Sequence, residues 1–370
     1  MVCAVAATYA IRDDVIWPRN LVLPPRPPAL VYLDMLGWIN MAEVDAGNTA
    51  PAGYARVLEA CRRARSEGRA LFPLSSTAAI ELYNIADVSR RRARVAVMEQ
   101  LSGFSYLLGR PQLQRLEVES AFDELPGVSI PSRSPIGLIG PSLLWAFGMR
   151  GGLITNAPDA DAIARQICQG IGIDPGNDAW ASLELWAERA LLTGPDDHED
   201  PQLQAAGYSL AGWRNILTKR AEQEQELVTL LNADPALRQG NLRDVVGARE
   251  MSIELLDVIN TAIAGTSASA FDEIDRTQIR DISDRMPSTR VAVSLKTIYH
   301  KNAQHVWTPN DIHDIDALSV AVPYCDIVFT DKAMRDKVIS CRELSVFKTE
   351  MPRKPDDLAD VIDALPSAGQ

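Results

Sequence analysis

Cysteine and histidine are scarce in this sequence, and their scarcity excludes two kinds of structural support. The chain of 370 residues has five cysteines and four histidines. The cysteines are odd in number, widely spaced and form no Cys-x-x-Cys pair, so neither a disulfide framework nor a structural zinc site is expected. This usage is typical of a reducing compartment, and we therefore expect a cytoplasmic location.

Long apolar runs and excess positive charge are also lacking. No stretch of about 18 uncharged apolar residues occurs, so no membrane-spanning helix is expected. The short apolar run at the N-terminus has no basic segment before it, which argues against a signal peptide. The formal net charge of −12 excludes a broadly basic nucleic-acid binder, but it is compatible with a local basic groove.

What the chain does have is enough apolar residues, 46%, for one large domain or two ordinary ones. Its most informative stretch is 308–331, which predicts a helix followed by a buried strand. Pro309 suits the first turn of a helix, and Asp311 is a favoured N-cap residue. Pro323 ends the helical pattern, and the β-branched and aromatic run 326–330 predicts the strand.

The spacing of this helix predicts which side chains share a face. At roughly 100° per residue, three apolar side chains fall on one face: Ile315, Leu318 and Val322. Asp311 and Asp314 lie on that face or its edge, whereas Asp316 points the other way. Asp331 ends the next strand, and ligand sites of open α/β sheets form at the carboxyl ends of strands. We therefore expect these acids to converge on one edge, although an Asp at a helix start can also serve only as a cap.

The beginning of the chain repeats the pattern of a strand followed by an acid. Residues 1–23 are interpreted as a tail, and the apolar run 29–33 predicts a buried parallel strand that ends at Asp34. A second strand is predicted at 71–74, and the helix after it carries Glu81. A glutamate on a helix is more often a solvated surface residue than a ligand. Further helices are predicted over 36–42 and 54–66.

A long helical segment separates these two regions. Residues 91–284 show helical periodicity and almost no strand signal, so we predict a helical insertion between the halves of an α/β domain, 24–90 and 285–350. After Asp331 the pattern predicts a short helix, an edge strand near 344–348 and a polar C-terminal tail over 351–370.

The acids that follow strands or open helices form a chemically consistent set. Carboxylates without a histidine or cysteine beside them are the ligands that a hard cation such as Mg²⁺ or Mn²⁺ prefers. A pair of such ions activates a water and steadies the leaving oxygen during phosphodiester cleavage.

These same segments resemble the PIN-domain superfamily of metal-dependent nucleases. The matching pieces are LVYLD, which ends at Asp34, the strand and helix around Glu81, and NDIHDIDALSVAVPYCDIVFTDK, residues 310–332. The resemblance covers 24–90 and 285–350, less than half of the chain. It implies a parallel α/β sheet with helices on both sides.

The resemblance also implies roles for individual acids. The implied catalytic and metal-binding residues are Asp34, Glu81, Asp314 and Asp331, with Asp311 as a supporting metal ligand. Two departures affect this assignment. Asp331 follows Thr330 directly, whereas many family members have one residue between them, and the helical insertion is far longer than in compact members.

The resulting expectation is a Mg²⁺- or Mn²⁺-dependent nuclease that acts on RNA rather than DNA. Arginines at 62, 63, 65 and 69 and the run 89–94 offer positive charge for phosphates, although each cluster is also compatible with an ordinary solvated helix face. The alternatives are a non-catalytic PIN-like module whose helical region binds a protein or nucleic acid, and a toxin of a toxin–antitoxin pair. A protein partner or a homo-oligomer is compatible with all three.

Overall fold

A computed structural model describes most of the chain, and the described residues are 12–126, 128–131, 133–151, 153, 157–239, 242–263 and 276–367. The strands within them are β1 (Leu21–Val22), β2 (Ala29–Leu33), β3 (Ala70–Leu71), β4 (Tyr106–Leu107), β5 (Ile136–Gly137), β6 (Ile139–Gly140) and β7 (Ile327–Phe329).

Helices make up most of the described residues. In chain order they are α1 (Met35–Asp45), α2 (Tyr54–Ser66), α3 (Ser76–Tyr83), α4 (Val88–Ser102), α5 (Arg110–Phe122), α6 (Leu143–Ala146), α7 (Ala160–Gly170), α8 (Ala179–Thr193), α9 (Pro201–Ala205), α10 (Leu210–Ala233), α11 (Leu242–Arg249), α12 (Leu256–Ile263), α13 (Arg276–Arg285), α14 (Pro287–Lys301), α15 (Pro309–Tyr324), α16 (Lys332–Ser340) and α17 (Pro355–Asp363). A π-helical segment covers Glu250–Glu254, and 3-10 helices cover Pro235–Leu237 and Arg342–Phe347.

The chain folds into two compact units. Unit 1 contains three segments: the chain up to Leu23, Arg110–Gly137 and Leu210–Met351. Unit 2 contains Pro24–Gly109, Leu138–Ser209 and the segment from Pro352 onward. The boundaries of these units differ from those of the domains predicted from the sequence. The predicted domains stay a prediction.

In unit 2 a buried parallel strand pair lies beside the first helices. β2 pairs in parallel with β3, with Ala29 opposite Ala70 and Leu30 opposite Leu71. The predicted bounds of β2 and of α2 are confirmed residue by residue. β3 stops at Leu71 because Pro73 has no N–H to donate to a ladder. The chain pairs again only at Leu74, through an isolated bridge.

In unit 1 the predicted helix and strand of 308–331 are present as α15 and β7. The three apolar side chains that were predicted to share a face are buried: Ile315, Leu318 and Val322. The N-cap is Thr308 rather than Asp311, and Asp311 occupies the third helical position of a capping box. The capping-box spacing is present in the sequence, with the Thr and the Asp three residues apart, and the prediction of Asp311 as the N-cap is wrong.

Two predictions for the C-terminal region are wrong. The edge strand predicted near 344–348 is a 3-10 helix, because its amides bond locally, as Leu344 does to the carbonyl of Cys341. The predicted tail 351–370 contains α17 in unit 2. Leu358 and Ile362 lie one turn apart and are fully buried, and α17 packs on α2.

The predicted N-terminal tail and helical insertion also contain structure that the sequence pattern did not show. Residues 1–11 lie outside the described part, but Ile16 is buried and β1 pairs in parallel with β5 in unit 1. Within the predicted insertion 91–284, β4 and β6 form an antiparallel pair in unit 2. Strands of two residues are too short to show alternation.

These elements define a mixed α/β protein in which helices dominate and β2 and β3 form the parallel pair that the sequence predicts. None of the described helices combines the length and hydropathy that a bilayer crossing requires.

Candidate functional site

The five predicted site acids divide between the two units, and all are half-buried. Asp34 and Glu81 belong to unit 2, and Asp311, Asp314 and Asp331 belong to unit 1. The prediction that Asp34, Glu81 and Asp314 share one pocket stays a prediction.

In unit 2, the two acids flank a buried tyrosine. Asp34 follows β2 directly and caps α1, and its Oδ1 accepts a hydrogen bond of 3.1 Å from the amide of Leu36. Glu81 lies in α3, which is capped by Ser75. Tyr32 is only 4% exposed. Its burial is the largest cause that raises its pKa, and the negative charges of Asp34 and Glu81 raise it further. Both carboxylates therefore lie within electrostatic reach of this side chain.

In unit 1, three aspartates surround a second buried tyrosine. Tyr299 is 8% exposed and lies in α14, which packs on α15. Burial is the largest cause that raises the pKa of Tyr299. The negative charges of three aspartates raise it further: Asp311, Asp314 and Asp331. The acids at the start of α15 and after β7 thus lie within electrostatic reach of one side chain, and the carboxylate site predicted from the sequence stays a prediction. We call Tyr299 and these three aspartates the Tyr299 cluster.

Two members of the Tyr299 cluster already bond to helix ends. The Oδ2 of Asp311 accepts hydrogen bonds of 2.8 Å from both the amide and the hydroxyl of Thr308. Asp331 caps α16, and its Oδ1 accepts from the amides of Ala333 and Met334 at 2.6 and 3.2 Å. Asp331 is therefore an N-cap, whereas Asp311 supports the N-cap residue Thr308 from the third helical position.

Aromatic and basic side chains adjoin the Tyr299 cluster. The ring of His305 lies 4.6 Å from that of Tyr299, and its Nε2 is 3.4 Å from Oδ2 of Asp311. The ammonium of Lys337 lies 4.7 Å from the centre of the Tyr299 ring. Positive charge is thus available beside the carboxylates.

The chemistry of the Tyr299 cluster suits a hard divalent cation, because its charged ligand atoms are carboxylate oxygens. Its present geometry does not: among the described residues, no three His, Cys, Asp or Glu side chains are gathered closely enough to hold a metal ion.

Asp316 belongs to a buried charge network in unit 1. The helix spacing predicted that it points away from Asp311 and Asp314. Its carboxylate accepts from Arg110 at 2.5 Å and from Arg220 at 2.5 Å. The network, hereafter the Lys296 network, consists of Arg110, Arg220, Glu224, Glu250, Glu254, Lys296, His300 and Asp316. Lys296 is 2% exposed, and its ammonium lies 2.6 Å from Glu250.

The Lys296 network is a self-compensated cluster rather than a metal site. Three cations lie among four carboxylates, so the carboxylates already have positive partners. Burial alone raises the pKa of Glu224, but Lys296 and His300 more than offset it and lower the pKa to about 2. Burial lowers the pKa of His300. Nε2 of His300 donates to the carboxylate of Glu224 over 2.8 Å.

The arginines that were considered as phosphate contacts are engaged within unit 2. Arg62 bonds to Asp45, and Arg63 bonds to Asp363. Arg91, in the run 89–94, is fully buried and donates to the carbonyl of Ile85. The solvated or structural interpretation of these clusters therefore accounts for their contacts.

Sequence reasoning missed the tyrosines and the Lys296 network. The spacing along the chain could have indicated Tyr32. It lies in β2, two residues before Asp34, and residues two apart in an extended strand point to the same face. Lys296 and His300 are four residues apart on α14, a spacing that puts both on one face. Their acidic partners come from distant segments, so no local pattern could have shown the network.

Comparison with known proteins adds no relative: no family model, curated protein or solved structure matches this chain.

Proposed function

We propose that this protein is a divalent-metal-dependent nuclease with a PIN-like fold that hydrolyses phosphodiester bonds in RNA. The observation that carries the proposal is the convergence of Asp311, Asp314 and Asp331 on Tyr299, at a helix start and a strand end. That is where the sequence pattern predicted a carboxylate site. Asp34 and Glu81 remain the further ligands that the resemblance implies.

The residues that would hold Mg²⁺ or Mn²⁺ are Asp314 first, with Asp311 and Asp331 beside it. A bound ion supplies Lewis acidity, which lowers the pKa of a water and neutralises charge on the phosphate. Asp331 can cap and bind at once, because both of its cap bonds are accepted by Oδ1 and an ionised carboxylate has about four lone-pair sites.

The basic side chains beside the cluster would hold the substrate. Lys337 and His305 bring hydrogen-bond donors next to the carboxylates, and phosphate oxygens are the groups such donors position. On a protein with a net charge of −12, a phosphate needs this local positive charge.

The experiment is a cleavage assay on end-labelled single-stranded, hairpin and duplex RNA, with Mn²⁺, with Mg²⁺ and with EDTA. We expect cleavage with either metal and none with EDTA. Asp314→Asn should lower the rate at least a hundredfold, because one ligand charge is lost. The matched control is Asp257→Asn, which makes the same change at an exposed position in α12. No cleavage of any RNA by the folded protein with Mn²⁺ would refute the nuclease proposal.

A second candidate function is a non-catalytic module that binds a partner. The observation that favours it is that Asp34, Asp311 and Asp331 all have structural bonds at helix starts, which explains their positions without a metal. It predicts no cleavage and an unchanged biological phenotype for Asp34→Asn and Asp314→Asn. The nuclease proposal predicts loss of function for both.

A further inference from the structure

A histidine in unit 2 ties the segment that follows α8 to helix α4. Nε2 of His198 lies 2.9 Å from Nη1 of Arg91, and its Nδ1 lies 2.5 Å from the hydroxyl of Tyr208. Arg91 belongs to α4 and is fully buried, and it also donates to the backbone carbonyls of Ile85 and Pro195. We call the chain of Arg91, His198 and Tyr208 the His198 latch.

The partners of His198 determine its protonation state. A guanidinium has donors only, so Nε2 of His198 accepts from Arg91 and carries no proton. The one ring proton is then on Nδ1, which donates to the hydroxyl of Tyr208. The His198 latch therefore requires a neutral imidazole.

A proton on Nε2 breaks the latch. It removes an acceptor of Arg91 and places two cations 2.9 Å apart, one of them fully buried. The other partners of Arg91 are neutral carbonyls, and within the described residues no carboxylate pairs with its guanidinium. Like charges at this distance repel strongly where water is excluded, so a protonated His198 dissociates from Arg91.

The acids on the same segment act in the opposite direction, but through water. Four of them lie within two residues of His198 and favour a protonated ring: Asp196, Asp197, Glu199 and Asp200. The side chain of Asp196 is 72% exposed and pairs with Arg92, and Asp200 caps α9. Their charges are screened by solvent, whereas Arg91 touches the ring in a buried place.

Two neighbouring helices also bring ionisable groups toward His198. The ring of Tyr83, at the end of α3, lies 6.1 Å from the imidazole, and its hydroxyl donates to the carbonyl of Leu191. Glu188 of α8 acts electrostatically on Tyr83, and its Oε2 accepts from the amide of Leu143. The exposed cations of α4 and α8 near this segment have carboxylate partners: Arg92 with Asp196 and Arg189 with Glu99.

The latched segment forms part of the wall of a cavity in unit 2. The cavity has a volume of about 780 Å³, and its lining includes Pro195 and Tyr208 of this segment together with the exposed Trp186 of α8. We propose that His198 is an acid-sensitive latch whose protonation frees residues 195–208 from α4 and opens this cavity. The proposal does not depend on nuclease activity.

The variant that tests the latch is His198→Gln. Its amide has an oxygen that accepts and an N–H group that donates, and it does not titrate. The matched control is His305→Gln, which makes the same change at a half-buried position in unit 1.

The measurement is hydrogen exchange of the full chain, read as protection relative to an unstructured chain at the same pH. In the wild type and in His305→Gln, we expect protection of 195–208 to fall at least about tenfold between about pH 7.5 and about pH 5.5. Protection of α2, also in unit 2, should stay constant. His198→Gln should keep its protection over the whole range.

A second measurement uses the wild type itself. The chain has only four histidines, so the imidazole resonance of His198 is the one that His198→Gln lacks. Its titration should have the same midpoint as the loss of protection. The proposal is overturned if the wild type keeps its protection at low pH, if His198→Gln loses protection as the wild type does, or if the two midpoints differ.

Discussion

At the scale of single residues, an aspartate at a helix start can stabilise the helix, bind a ligand or do both. Asp34 accepts from the amide of Leu36, as an N-cap does. Asparagine caps about as well as aspartate, so the charge can be removed while the cap is kept. The cap and the proposed ligand role can therefore be separated by one substitution.

We predict that Asp34→Asn changes the free energy of unfolding by less than about 0.5 kcal/mol, because the cap is retained. The same variant should lose metal-dependent RNA cleavage. Urea denaturation measures the first effect and the cleavage assay the second. Asp87→Asn is the control, since Asp87 caps α4 through the amides of Ser89 and Arg90 and has no proposed ligand role. Equal cleavage by the two variants would remove Asp34 from the site.

A second prediction at this scale concerns Glu224 and pH. Its pKa of about 2 lies below its ordinary value of 4.5, so its contribution to stability is fully present above pH 4.5 and is lost as the pH falls from 4.5 to 2. The shift corresponds to about 3 kcal/mol. We expect Glu224→Gln to lower the free energy of unfolding by roughly this amount at pH 7 and by much less near pH 2.

The measurement for Glu224 is urea denaturation at a series of pH values, with Glu226→Gln as the control. Glu226 lies on the same helix with 75% of its side chain exposed. If Glu224→Gln and Glu226→Gln show the same dependence on pH, Glu224 is not the group that titrates in this range.

At the scale of helices and strands, the Lys296 network ties α15 to neighbouring helices of unit 1. Asp316 of α15 bonds to Arg110 of α5 and Arg220 of α10, and Lys296 of α14 bonds to Glu224 of α10. Burial raises the pKa of Asp316, but the two arginines more than offset it, so the pKa lies well below its usual range. The network thereby sets the position of the helix that carries Asp311 and Asp314.

We predict that Asp316→Asn lowers the free energy of unfolding by about 3–5 kcal/mol, because two buried guanidinium groups each lose one of their two charged partners. Thermal and urea denaturation measure this loss. The control is Asp161→Asn, which breaks an exposed pair with Arg165 and should cost less than about 1 kcal/mol. Similar losses for both variants would show that the network contributes little to stability.

The sequence predicted those elements whose signals are local. β2 is a continuous apolar run, and α2 has both its apolar face and its terminal glycine, so their bounds were predictable. α17 was missed because its apolar face has only a few residues and depends on packing against α2. The two-residue strands β4 and β6 depend on pairing between segments that are distant in sequence.

The candidate site was predictable in part for the same reason. Helix spacing and the end of a strand indicated that Asp311, Asp314 and Asp331 lie near one another, and all three act electrostatically on Tyr299. The burial of Tyr299 and the position of His305 depend on how α14 packs against α15, which no single stretch of sequence specifies.

At the scale of the whole molecule, folded stability should respond to a divalent cation. Neighbouring carboxylates repel one another and destabilise the native state when no cation is present. An ion that binds only the native protein adds about 2.7 kcal/mol at a hundredfold excess over its dissociation constant. The metal response of the melting temperature therefore reports on the site independently of any substrate.

The most direct test of the proposed metal site is the melting temperature at neutral pH, measured with Mn²⁺ and with EDTA. The wild type and the control Asp257→Asn should both melt higher with Mn²⁺. Asp314→Asn should lose most of this shift, and without metal it should be at least as stable as the wild type, because one repelling charge is gone. If the wild type and Asp314→Asn respond identically to Mn²⁺, Asp314 is not a metal ligand and the proposed site is wrong.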